Sequence, residues 1–145
     1  MDFKENNAKG IERVILHVDL DSFFATAAQQ ANPGLREKPV GIIKAAGRTC
    51  IIAASKEAKK YKVKTGSTVI KAEKLCPSII LIPADFEKYE DITYRFIEIC
   101  QKYSPLCEVF SLDECFIDLT QTEKFWGNAL SIALEIQESL AGEIG

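Results

Sequence analysis

The chain has 145 residues, 47% of them hydrophobic and 27% charged, a mixture that excludes disordered and fibrous proteins and favours one domain. A compact chain of this size buries roughly 70% of its unfolded surface, so a core is expected without disulfides or a structural metal. The apolar clusters around Val14 to Val18 and Ile79 to Ala84 fall short of the roughly 18 residues of a membrane span, and the first thirteen residues lack a secretory apolar stretch. A cytoplasmic protein without a membrane partner is expected.

Net charge is only −3, but it is unevenly spread. From Arg36 to Lys74 eleven Lys or Arg stand against three Glu, a net of +8 that leaves −11 for the remainder. One reading is a solvated face on two helices; the other is contact with phosphate. The cysteines at 50, 76, 100, 107 and 115 are odd in number and never form a C-x-x-C pair, so neither a disulfide framework nor a zinc site is expected, and they read as small buried hydrophobes.

In chain order, Val14 to Asp19 alternates and is β-branched, which predicts a strand, and alanine-rich Ser22 to Ala31 predicts a helix stopped by Asn32-Pro33-Gly34. Pro39 to Lys44 and Thr49 to Ala54 predict two short strands joined around Gly47. A helix from the candidate N-cap Ser55 to Lys62 follows, with a break at Gly66. Thr68 to Cys76 reads as a short helix ended by Pro77, and Ile79 to Ile82 as a strand of the fully buried kind.

Asp85 to Tyr103 is the longest helical pattern, with apolar Phe86, Tyr89, Ile92, Phe96, Ile97, Ile99 and Cys100. Leu106 to Phe110 and Cys115 to Leu119 then predict a hairpin with Ser111 to Glu114 as its turn. A last helix is expected over Glu123 to Ala141, with Leu130, Ala133, Leu134, Ile136 and Leu140 on its apolar side and Trp126 as a packing residue. The order is β-α, a basic ββαα insertion, then β-α-β-β-α. It predicts an α/β body, acidic and interrupted by a small basic subdomain.

Two carboxylate clusters stand out, Asp19-Leu20-Asp21 at the end of the first strand and Asp113-Glu114 in the hairpin turn. Asp21 is also a natural N-cap for the helix beginning at Ser22, and acidic residues are common in hairpin turns. If the first strand pairs beside the hairpin, Asp19, Asp113 and Glu114 converge at one sheet end. Carboxylates that close repel by about 4 kcal/mol per pair at an effective dielectric of about 20, which divalent cations with oxygen ligands offset. Two such ions about 3.5–4 Å apart serve an in-line phosphoryl displacement, and the basic segment would hold phosphates. The only histidine, His17, shares a strand face with Asp19, but a satisfied core histidine is the expected outcome because Mg2+ prefers oxygen.

The stretches VILHVDLDSFFA, NPGLREKPVGI, AASKEAKKYKVKTG, KAEKLCP and SLDECFIDLT resemble, in order and spacing over about residues 12–142, the Y-family lesion-bypass DNA polymerases. They look most like the bacterial polymerase IV and polymerase V catalytic-subunit type, the UmuC domain. The resemblance implies a ferredoxin-like α+β palm at 10–30 and 84–145, incomplete at its C-terminal end, interrupted by basic fingers at 31–83 and preceded by a tail at 1–9. It implies two Mg2+ ions, with Mn2+ able to substitute, bound by Asp19 and Asp113 and completed by Glu114 at the metal that activates the primer 3′-hydroxyl. Leu20 would contribute its backbone carbonyl. Phe24 matches the steric gate that excludes a ribose 2′-hydroxyl, and Phe23 lies beside it.

Lys56 stands where many relatives carry a tyrosine and Lys59 where an arginine is usual, so charge at Lys59 is kept while the bidentate fork is lost. Both are candidate triphosphate ligands, and Lys56 is equally compatible with a solvated helix face. Family members continue into further palm strands, a thumb and a C-terminal DNA-gripping domain, so this chain reads as an N-terminal fragment or truncated product. Alone it would be weakly active or inactive and would leave a sheet edge exposed. The implied partners are primer-template DNA, deoxynucleoside triphosphates and, through regions outside this chain, a sliding clamp. The alternatives are a non-catalytic nucleotide- or DNA-binding remnant and another two-metal palm enzyme such as a nucleotide cyclase; the basic insertion and the Phe23-Phe24 pair argue against the cyclase.

Overall fold

The computed structural model describes residues 12–45 and 50–144. In chain order the elements are β1 (Ile15–Asp19), α1 (Phe23–Ala31), a 3-10 turn (Pro33–Leu35), β2 (Val40–Ile43), β3 (Ile51–Ala54), α2 (Lys56–Lys60), α3 (Val69–Leu75), β4 (Ile80–Pro83), α4 (Phe86–Gln101), β5 (Cys107–Val109), β6 (Glu114–Asp118), α5 (Glu123–Trp126) and α6 (Ala129–Glu143). The mixed α/β class is as expected; Gly47, expected between β2 and β3, lies outside the described residues. Among the described residues no helix is long and apolar enough to cross a membrane. The chain divides into two compact units, Met1–Asp19 with Tyr94–Gly145, and Leu20–Thr93.

The first unit holds an antiparallel sheet of order β1-β6-β5. Strand alternation sends Leu16, Val18, Cys115 and Ile117 to one face and Ile15, His17, Asp19, Glu114, Phe116 and Asp118 to the other. Cys115 and Ile117 are fully buried, as are Phe96 and Cys100 of α4 and Ile132 of α6, which makes the first face the core side. A thiol hydrogen bond with Cys100, together with burial, pushes the Cys115 thiol up, and burial beside Cys115 pushes Cys107 up to about 12. Cys107 and Cys115 are therefore protonated and inert at neutral pH. Of the cysteines expected to be buried, Cys76, Cys100 and Cys115 are, Cys107 is half-buried, and Cys50 is exposed, in correction of that expectation.

Two further corrections concern the C-terminal region. The single helix expected over 123–141 is two, because Gly127 takes a left-handed φ of 99° and the Asn128 carboxamide starts α6 afresh by accepting the Ser131 N–H at 2.9 Å. The inner face also differs in part: Ile136 is buried as expected and Ile132 with it, while Leu130 and Leu134 are 70% and 56% exposed. Trp126 packs edge-on against Tyr103 with ring centroids 5.3 Å apart.

The second unit holds a sheet of order β3-β2-β4, with β2–β3 antiparallel and β2–β4 parallel. Its central strand is β2, buried at every position, whereas β4, expected to be fully buried, is an edge strand and only half-buried. Ala25 of α1 clusters with Val40 and Ile42, and Ala58 and Ala72 of α2 and α3 cluster with Ile43 and Ile51. Gly41 permits this: a Cβ there would lie 3.0 Å from Ile51, 3.1 Å from Ile79 and 3.2 Å from Leu81.

Ser55, 1% exposed, joins β3 to α2 as expected of an N-cap and does more. Its hydroxyl oxygen accepts the Ala58 N–H at 3.2 Å and the Val40 N–H at 3.1 Å, and its proton goes to the Lys38 carbonyl at 3.3 Å. Replacing Ser55 by Ala strands two buried N–H groups and is expected to lower the unfolding free energy by about 1–3 kcal/mol in urea titrations.

In the first unit, hydrogen bonds from Thr120, then Arg13 at 2.8 Å, hold the Asp118 carboxyl down at about 2 against an ordinary 3.8. The folded state therefore favours the ionised form. This contribution is complete above the ordinary value and is lost as pH falls through the folded one. The difference in urea midpoint between the parent and Asp118→Asn is expected to stay constant from about pH 7 to about pH 5 and to close as pH approaches about 2.

Candidate active site

The hairpin connecting β5 to β6 explains why two acidic residues sit at one end of the first unit's sheet. The Glu114 carbonyl accepts the N–H groups of both Phe110 at 3.0 Å and Ser111 at 3.2 Å, so the reversal is confined to Ser111, Leu112 and Asp113. Glu114 is thus the first residue of β6 and not part of the turn, in correction of the sequence reading. The ladder pairs it directly with Asp19, the last residue of β1. Directly opposed residues in an antiparallel pair share a face with Cβ atoms about 4.5–5.5 Å apart, an arrangement that is destabilising for like charges.

The surrounding side chains offset part of this repulsion. Ser111 has one hydroxyl proton, which its 2.7 Å contact with Asp113 Oδ1 takes, leaving the longer 3.4 Å approach to Glu114 Oε2 without a proton of its own. His17 Nε2 lies 3.2 Å from Glu114 Oε1. His17 is therefore not a core histidine: its side chain is 45% exposed on the face away from the core. The strand pattern carried the face it shares with Asp19, but which face is open depends on where the helices pack.

The second unit carries the remaining candidates that follow Asp19. Leu20 is half-buried just after β1. Phe23 is buried, and Phe24 lies flat on Tyr89 with ring centroids 4.2 Å apart and planes at 14°, with Phe86 edge-on at 6.1 Å. Tyr89 and Phe86 were visible in the sequence only as apolar positions of a helix. Burial raises the Tyr89 pKa, so its ring presents a neutral stacking surface.

Ser22, not Asp21, is the N-cap of α1; it has a left-handed φ of 52° and makes no side-chain cap. Asp21 instead accepts a hydrogen bond from the Thr26 hydroxyl through its carbonyl at 3.0 Å and pairs its carboxylate with Lys56 Nζ at 3.3 Å. Lys59 Nζ donates to Ser22 Oγ at 2.8 Å. Two ammonium groups thus meet the start of a helix that has no side-chain cap, an arrangement that attracts anions.

The impB/mucB/samB family profile matches residues 18–145. The chain is 33% identical over 134 residues to DNA polymerase IV of Gluconobacter oxydans (strain 621H), covering 92% of this chain and 38% of that protein. It is 37% identical over 133 residues to DNA polymerase IV of Bacteroides fragilis (strain YCH46), covering 92% and 36%. Among solved structures it is similar to a Y-family DNA polymerase chimera of Dbh and Dpo4, with TM-score 0.82, 31% identity and coverage of 89% of this chain and 39% of that one. An insertion ternary complex of Dbh DNA polymerase matches with TM-score 0.81 and 29% identity over 89% and 39%. DinB from Sulfolobus solfataricus matches with TM-score 0.80 and 32% identity, again over 89% and 39%. The chain spans a little over a third of the length of these relatives. Carrying this fold, the two motifs VDLDSFFA and SLDECFIDL and a family match through residues 18–145, the chain belongs to the impB/mucB/samB family of Y-family DNA polymerases.

Proposed function

We propose that this chain carries the catalytic carboxylates of a template-directed translesion DNA polymerase, which joins a primer 3′-oxygen to the α-phosphorus of a deoxynucleoside triphosphate and releases pyrophosphate. The observation that carries the reading is the register that sets Asp19 opposite Glu114 with Asp113 adjoining. The likeness to an insertion ternary complex of a Y-family enzyme supports primer-template DNA and deoxynucleoside triphosphates as partners. In this proposal the palm comprises 10–30 and 84–145, the fingers 31–83 and the tail 1–9, a sliding clamp is reached through regions outside this chain, and the setting is cytoplasmic.

The donor set fits a hard divalent cation, since Asp19, Asp113 and Glu114 offer only oxygen. Among the described residues no three His, Cys, Asp or Glu side chains close into a ready-made metal cage. Mg2+ keeps several waters and takes substrate phosphates instead of a full set of protein ligands. Bound there, two such ions would stabilise the attacking and leaving oxygens of the displacement.

Asp19, Asp113 and Glu114 would hold such ions through their carboxylates and Leu20 through its carbonyl, with Glu114 serving the primer hydroxyl. Lys59 and Lys56, which contact Ser22 and Asp21 beside the start of α1, hold the triphosphate as point charges. Phe24, held flat on Tyr89, is the wall that a ribose 2′-hydroxyl would strike, with Phe23 behind it in the buried cluster.

Titration of this chain with Mn2+, followed by the loss of the free-ion paramagnetic resonance signal, tests the site directly. Asp113→Asn is expected to weaken binding by roughly tenfold or more, on the order of 1.4 kcal/mol; parent-like binding would remove the carboxylates from a metal role. In primer extension with the protein encoded by the whole gene, Phe24→Ala is expected to raise ribonucleotide incorporation relative to deoxyribonucleotide by roughly tenfold or more. Unchanged sugar selectivity would take Phe24 out of the gate.

A further inference from the structure

His17 lies on the open sheet face beside the proposed carboxylates, and the proposed reaction does not use its chemistry. Its ring stacks on Phe116 with centroids 4.6 Å apart and planes at 15°. Phe116 is in turn met edge-on by Phe110 at 6.1 Å and 89°. The ladder pairs His17 with Phe116 and Asp19 with Glu114, so His17 and Glu114 are diagonal neighbours on one face. Stack and register together fix both the plane of the imidazole and its distance from the Glu114 carboxylate.

We propose that His17 is a positioning residue for Glu114: its Nε2–H, 3.2 Å from Oε1, locks the carboxylate in the orientation it needs beside Asp19. An ionised carboxylate only accepts, so in this contact Nε2 is the donor. The opposite oxygen, Oε2, has only the 3.4 Å contact with Ser111, whose proton is committed to Asp113 at 2.7 Å. Of the contacts to the Glu114 carboxylate, the His17 bond is therefore the one with a dedicated proton. Without it, Glu114 is free to rotate away from Asp19, its directly opposed like charge, and the pair opens. Partners of this kind, which touch a metal ligand and not the metal, are commonly worth about 10–100-fold in metal affinity.

This inference rests on the reading of Glu114 as a metal-side carboxylate, and the experiment separates the two. Mn2+ affinity of the chain is measured by paramagnetic resonance for the parent, His17→Phe, His17→Gln, Glu114→Gln and the double variant His17→Phe/Glu114→Gln. His17→Phe keeps a ring to stack on Phe116 and removes the N–H, and His17→Gln supplies a different N–H donor; urea midpoints check that each is folded. The expected result is about tenfold weaker Mn2+ binding in His17→Phe, partial recovery in His17→Gln, and no further loss when His17→Phe is added to Glu114→Gln. A merely structural role would lower affinity equally in both backgrounds and so overturn the proposal. Parent-like binding by His17→Phe with weakened binding by Glu114→Gln would also overturn it while leaving the metal site standing. Parent-like binding by Glu114→Gln would overturn both.

Discussion

The register between β1 and β6 is the constraint on which the candidate site depends. A slip of one residue would move every side chain of β1 to the other face, burying His17 and Asp19 and exposing Leu16 and Val18. The apolar residues that enforce the register are Leu16 and Val18 against Ile117 and Cys115, both of the latter fully buried. Hydrophobic burial on one face thus fixes the opposition of two carboxylates on the other, an arrangement that electrostatics alone would disfavour.

The three-residue reversal after Phe110 completes this. By accepting two N–H groups, the Glu114 carbonyl anchors the turn, and Ser111 brings its hydroxyl to Asp113. Backbone geometry thus places three acidic residues near one sheet end, Asp19 and Glu114 opposed in the ladder and Asp113 adjoining, which is what the proposed cation site draws on. The thiols on the core side do not compete for such an ion, because Cys107 and Cys115 face inward and remain protonated.

The second unit carries Lys56 and Lys59, the residues proposed to hold phosphate. Ser55 secures the start of α2 to β2, so that Lys56 and Lys59 leave a rigid base. Their present partners, Asp21 and Ser22, are exposed or weakly polar, and exposed ion pairs of this kind contribute little to stability. The aromatic stack of Phe24 on Tyr89 gives the same region a fixed apolar wall, well suited to shape discrimination.

Much of this was legible in the chain itself. The alternation of Val14 to Asp19, the cap Ser55, and the carboxylates Asp19, Asp113 and Glu114 follow from local rules of pattern and turn chemistry, and the α/β class follows from the order of the elements. Other features needed the assembled structure. Strand periodicity says that His17 and Asp19 share a face but not that the face is open, because that is decided by which side α4 and α6 cover. Helical periodicity placed Leu130, Leu134 and Ile136 inside; Ile136 is buried as expected, whereas Ile132 is buried in place of Leu130 and Leu134. Likewise Asp21 and Ser22 are equally good caps by composition, and the backbone angle at Ser22 chose between them. The sequence by itself determined which residues could do the chemistry, since residue type and local spacing are written in it. Only the tertiary structure decided which of them meet, since burial and cross-strand pairing are properties of segments distant in the chain.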